Sequence, residues 1–212
     1  MNFQPMKYIY EPAHNDAAYT LLLLHGTGGD EHDLLPIAKE FGNSLHVLSL
    51  RGNVSEGGMP RFFKRLGMGV FDEEDLRFRT DEMMAFLKTL AAEKGFDANK
   101  IIALGYSNGA NIIGSTLMMY PDVFAGAMMY RPMQPFKTPD SFQSIERRPV
   151  FMTNGNQDPT INSQATMKYV ALLKEAGFEV EDHQLQTGHN LTQNDLQLAV
   201  AWFRKNFPHA SV

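Results

Sequence analysis

Hydrophobic residues fall along this chain in short, nearly unbroken runs, separated by stretches in which they recur every three or four positions. The runs cover 20–24, 45–50, 101–104, 125–130 and 149–153, and continuous apolar strands of this length belong to a parallel sheet covered on both faces. Between them, Met83, Phe86, Leu87, Leu90 and Ala91 keep helical spacing, which predicts a helix over 80–94 closed by Gly95. Shorter helices are expected over 33–41 with Pro36 in the first turn, from Asn111 to Tyr120-Pro121, over 163–176 before Gly177, and from Thr192 onward. Residues 7–10 and 179–185 read as edge or half-exposed strands. Strands alternating with helices define an α/β domain, doubly wound around a mostly parallel sheet, whose ligands bind at the carboxyl ends of the strands. No stretch is long enough for a separate cap domain, so 1–212 reads as one domain.

One of these runs ends in chemistry. Ile101-Ile102-Ala103-Leu104 leads straight into Gly105-Tyr106-Ser107-Asn108-Gly109, and a helical pattern begins at Asn111. Strand, sharp turn and helix form the setting in which Gly-x-Ser-x-Gly exposes a serine nucleophile. The plainer alternative is a glycine-rich turn whose serine caps the helix. A nucleophilic serine needs a base that a third group orients, and this fold supplies them after later strands in the order Ser, Asp, His. Asp158 follows the strand over 149–153 and precedes Pro159, whereas Asp182 lies within a strand and Asp195 in a helix cap. His189, in Gly188-His189-Asn190, lies between the last strand and the last helix. His14, His46, His183 and His209 occupy edge, strand or tail contexts, and His25 is expected to fix its own loop through hydrogen bonds. Ser107, His189 and Asp158 are therefore the expected nucleophile, base and orienting acid. The amide of Asn108 is one expected oxyanion donor. The other comes from the Gly26-Thr27-Gly28 turn, with Thr27, the residue after His25-Gly26, in that role.

Two long connections, 51–75 and 131–148, are expected to wall the pocket. The first brings Phe62, Phe63 and Phe71, with Met59 and Met68 as adaptable filler, and the second brings Arg131, Met133 and Phe136, although at least half of the apolar side chains are expected to pin the loops to the core instead. Arg61, Lys64, Arg65 and Arg131 stand among them, so a locally positive mouth is expected.

Composition narrows the class. A net charge of −5 without any Lys/Arg block argues against a nucleic-acid partner. The four leucines of 21–24 fall far short of the roughly 20 residues that cross a bilayer, and the first residues lack the apolar core of a signal peptide. With no cysteine, thiol catalysis and disulfides are excluded, and a cytoplasmic protein, monomeric or homodimeric, is expected. His25, Asp30, Glu31, His32 and Asp33 do not follow a metal-ligand spacing, and Asp30 or Asp33 is expected to cap the next helix. Neither metal nor cofactor is expected.

With Gly105-Tyr106-Ser107-Asn108-Gly109, His25-Gly26-Thr27-Gly28-Gly29-Asp30, Asp158-Pro159 and Gly188-His189 assembled, the sequence resembles the α/β-hydrolase superfamily. Within it, the chain is similar to the phospholipase/carboxylesterase branch that includes acyl-protein thioesterases, and to its small bacterial hydrolases of the YahD and MhqD type. The resemblance implies a lidless α/β-hydrolase fold, carboxylesterase-like activity on small esters, and Thr27 and Asn108 as oxyanion donors. Arg131-Pro132 departs from the small, often serine-glycine turn of the branch, which argues against a lipid or acyl-protein substrate. A thioesterase or lysophospholipase acting on longer acyl chains, and a ligand-binding homologue without catalysis, remain the alternatives.

Overall fold

A computed structural model describes residues 2–13 and 19–210. In chain order the strands and helices are β1 (Tyr8–Glu11), β2 (Thr20–Leu24), α1 (Leu35–Ala38), β3 (His46–Leu50), β4 (Val54–Glu56), β5 (Met59–Arg61), β6 (Arg65–Gly67), β7 (Val70–Phe71), α2 (Glu73–Lys94), β8 (Ile101–Tyr106), α3 (Asn108–Met119), β9 (Gly126–Tyr130), β10 (Pro149–Gly155), α4 (Ser163–Glu175), β11 (Glu179–Leu185) and α5 (Gln193–Asn206). Among the described residues the central sheet has seven strands in the order β1-β3-β2-β8-β9-β10-β11. Only β1 runs antiparallel, against β3; every other pairing is parallel. Alternate strand residues point to opposite faces. Leu22, Leu24, Ala103, Met129 and Met152 pack with α2, α3 and α4, while Leu21, Leu23, Leu104, Met128 and Phe151 pack with α1 and α5. A doubly wound, mostly parallel α/β domain results, with no cap domain among the described residues.

The register carries this order to the carboxyl edge. Leu24 pairs with Gly105, Tyr106 with Tyr130, Tyr130 with Thr153, and Gly155 with Leu185. The turns after β2, β8, β9, β10 and β11 therefore stand side by side along one rim.

Three expectations change. The helix over 80–94 starts earlier, at Glu73, because Asp72 caps it by accepting the Asp75 amide at 3.0 Å and acidic residues fill its first turn. The connection over 51–75 is not a plain loop: β4 pairs with β5 and β6 with β7, forming two small hairpins. Neither Asp30 nor Asp33 caps α1, whose N-cap position is Leu34 without a side-chain bond; Asp30 instead accepts the His32 amide at 2.8 Å.

Candidate active site

The Ser107 backbone is held at φ 51° and ψ −108°, a conformation that a side chain rarely adopts, between the end of β8 and the start of α3. Its own amide donates to the Tyr130 carbonyl of β9 at 2.8 Å, which fixes the turn to the neighbouring strand. The flanking glycines are steric requirements. A Cβ on Gly105 would lie 2.6 Å from the Gly109 backbone, and one on Gly109 would lie 1.9 Å from the Leu24 carbonyl oxygen. The close approach of β2, β8 and α3 leaves no room for either. Ser107 occupies the N-cap position of α3, yet its hydroxyl makes no capping bond. Ser107 Oγ lies instead 2.9 Å from His189 Nε2.

The chain of contacts continues behind the ring. His189 Nδ1 is 2.6 Å from Asp158 Oδ2, so an N–H there donates to the carboxylate. The other Asp158 oxygen accepts the Thr160 hydroxyl at 2.6 Å and the Thr160 amide at 2.9 Å. Burial by itself would raise the Asp158 carboxyl, but the bonds from Thr160 and His189 outweigh it and hold the group below its ordinary value. Tyr106 donates its hydroxyl to the His189 carbonyl at 3.1 Å, and the two rings lie 5.5 Å apart. Neither Thr160 nor Tyr106 was singled out by sequence; Thr160, two positions beyond Asp158, was legible as an Asx-type turn partner.

The amides of Thr27 and Asn108 are free of protein acceptors among the described residues, Asn108 because the first residue of a helix has no intrahelical acceptor. The Thr27 turn is braced from outside: the Gly28 amide donates to Pro60, and Arg61 Nη1 donates to the Thr27 hydroxyl. Arg61 was grouped with the mouth of the pocket by sequence, and this bracing contact had no signal there. His25 behaves as expected. Its Nδ1 lies 2.6 Å from the Gly26 carbonyl, its Nε2 accepts the Gly52 amide at 3.1 Å, and burial pushes its ring down toward the neutral form.

A cavity of about 260 Å³ opens against Ser107 and His189, with Phe71, Met68 and Met133 on its apolar side. The expected wall needs correction. Phe62 and Phe63, which follow β5, are fully buried in the core cluster that includes Leu76 and Met83 of α2 and do not line the pocket, and Phe136 is buried there too. Arg131 borders the cavity, but its guanidinium is fully buried and donates to Asp195 through Nη1 and Nη2, so it is no free cation at the mouth. Lys64 is drawn to Asp75 at 3.6 Å. Of the other histidines, His46 and His183 lie on strands and His209 follows α5, while His14 falls outside the described residues. Asp30, Glu31 and His32 bring ligand-type atoms within 4.8 Å of one another, but Arg51 donates to both carboxylates there and a cation would have to displace it.

This combination of sheet, elbow and cavity is that of an α/β-hydrolase. A profile of the phospholipase/carboxylesterase family matches residues 6–207, and the chain belongs to that family. MhqD, a protein of Bacillus subtilis (strain 168) named as a hydrolase, is 42% identical over 200 residues, 94% of this chain and 98% of its own. The carboxylesterase of Bacillus cereus superposes with a TM-score of 0.92 at 44% identity, over 95% of each chain. The structure of YahD with malic acid follows at a TM-score of 0.88 and 32% identity, over 95% of this chain and 99% of that one. Among the described residues, no helix is long and apolar enough to cross a membrane.

Proposed function

We propose that this chain is a serine carboxylesterase that cleaves small carboxylic esters in the cytoplasm through an acyl-enzyme. The reading rests on one observation, the unbroken chain from Ser107 Oγ through His189 to Asp158 at 2.9 and 2.6 Å, facing a cavity. In this mechanism Ser107 Oγ attacks the ester carbonyl while His189 Nε2 takes its proton, and Asp158 holds the tautomer and stabilises the imidazolium. Negative charge then develops on the carbonyl oxygen, where the free amides of Thr27 and Asn108 donate to it and the α3 N-terminus favours it. The tetrahedral intermediate collapses, the C–O bond to the alcohol breaks, and His189 returns the proton to the departing oxygen. Water, deprotonated by the same ring, cleaves the acyl-serine and regenerates the hydroxyl.

The small cavity favours short esters over long acyl chains, and malic acid in the YahD structure is a ligand of similarly small size. A fluorophosphonate probe tests the mechanism. Stoichiometric labelling at Ser107, found by mass spectrometry and lost in Ser107→Ala, is expected; labelling that persists in the variant would remove Ser107 from the chemistry.

A further inference from the structure

The cavity beside Ser107 is lined by three arginines, Arg61, Arg65 and Arg131, and by no carboxylate. Asp195 neutralises Arg131. Arg61 and Arg65 have to share Glu56: its Oε2 lies 3.2 Å from Arg61 Nε, and its Oε1 lies 2.9 Å from both Nε and Nη2 of Arg65. Two guanidinium groups against one carboxylate leave a positive charge uncompensated at the wall. The Arg61 side chain is only 3% exposed, and its Nε also donates to the Phe63 carbonyl at 3.1 Å. With Nη1 on Thr27, its Nη2 has no partner among the described residues. Burial first, and then the Arg65 charge, push this guanidinium down from its ordinary value, so a further anion beside it relieves an unfavourable charge. The carboxylate behind His189, Asp158, has a fully buried side chain and is engaged by Thr160. Lys64 is turned to Asp75 and adds no charge to this wall.

We infer that the site selects esters carrying a second carboxylate a few bonds from the scissile carbonyl, with Arg61 and Arg65 as its receptor. The inference rests on the proposed role of Ser107 and names the substrate class for it. Position supports it. Arg61 touches the residue whose amide is the proposed oxyanion donor, so a carboxylate at the arginines and a carbonyl at Ser107 fit one small molecule. A buried guanidinium with a free nitrogen is the donor type that carboxylates bind most strongly. The apolar wall of Phe71, Met68 and Met133 takes the connecting carbons.

Two chromogenic pairs test this at low ionic strength. In the first, 4-nitrophenyl hemisuccinate is compared with 4-nitrophenyl 4-methylpentanoate, which puts a branched methyl end where the carboxylate was. In the second, 3-acetoxybenzoate is compared with 3-methylphenyl acetate, which moves the charge to the alcohol side. A kcat/KM ratio of about tenfold or more for the anionic member of at least one pair is expected. The ratio should shrink toward one in Arg61→Met and Arg65→Met, and widen in Glu56→Gln, which removes the competing carboxylate. Ratios near one in both pairs, or ratios that both arginine substitutions leave unaltered, would overturn the inference while turnover still upheld the esterase reading. Calorimetric binding of hemisuccinate and its neutral partner to Ser107→Ala separates the other case. Arg65-dependent preference for the anion without turnover by the parent protein would uphold the receptor and remove the hydrolase.

Discussion

Arg131 and Asp195 meet end to end inside the protein, with Nη1 on Oδ1 at 2.7 Å and Nη2 on Oδ2 at 2.9 Å. Arg131 adopts φ 55°, a left-handed conformation that favours glycine, directly after β9. Its guanidinium also donates to the Gly188 and Asn190 carbonyls on either side of His189. The ion pair thus ties the rim after β9 to the α5 cap and to the loop that carries the histidine. Replacing Arg131 with Met strands a buried carboxylate, and urea unfolding should show a loss of about 3–5 kcal/mol. A loss under about 1 kcal/mol would mean that Asp195 finds other partners.

Asp195 also sets a pH dependence. Burial favours its neutral form, but bonds from Arg131, Thr153 and Thr192 prevail and hold its carboxyl below the usual range. The folded protein therefore binds this proton less readily than the unfolded chain. Its contribution is present above the unfolded value of about 3.9 and is lost as pH falls through the lower folded value. Urea midpoints measured from pH 7 downward should fall across that window. The Asp195→Asn variant should begin less stable and show a shallower decline; parallel curves would remove Asp195 as a source of the acid lability.

Strain at Ser107 separates stability from activity. Ser107→Ala and Ser107→Gly should each lower kcat by about 10⁴ or more on an activated ester. Glycine tolerates φ 51° where alanine does not, so the glycine variant should be the more stable of the two by about 1 kcal/mol. Equal thermal midpoints would argue that the elbow relaxes when the hydroxyl is gone.

Thr160 holds the carboxylate that orients the proposed base. Thr160→Val removes one of its two bonds to Asp158 Oδ1 and keeps the amide bond. A drop in kcat of about tenfold with KM little changed is expected. No change in kcat would leave the amide as a sufficient support.

Chain length provides the fifth measurement. Each buried methylene adds about 0.8 kcal/mol only while the cavity has room for it. With about 260 Å³ available, kcat/KM over a series of 4-nitrophenyl esters should peak at short acyl chains. A steady rise through about twelve carbons would favour the thioesterase or lysophospholipase alternative.

What could be read from sequence follows from where the signal is local. The sheet strands announce themselves because burial on both faces demands continuous apolar runs, as at Leu21 to Leu24. Asp158 and His189, which the structure brings together with Ser107, could be singled out because the fold leaves few places for such a pair beyond a strand end. The wall was misread because Phe62 and Phe63 sit in a segment whose strands are only two or three residues long, too short for alternation to show which way a ring points. One signal there was available: Gly57-Gly58 between Glu56 and Met59, both with positive φ, is the two-residue turn of a hairpin. The fate of Arg131 was invisible, since its partner lies 64 positions away and nothing local distinguishes a buried arginine from an exposed one.

The two hairpins have an evolutionary consequence. Ser107, Asp158, His189 and Thr27 are drawn from separate strand ends across most of the chain, so the proposed chemistry cannot be altered piecemeal without touching several crossovers. Glu56, Arg61, Arg65, Met68 and Phe71 belong instead to one uninterrupted segment appended to the rim between β3 and α2. Exchanging the β6–β7 hairpin with a homologue's would change the cavity wall in a single recombination event, while Pro60 and Arg61, which brace the Thr27 turn, would have to be kept.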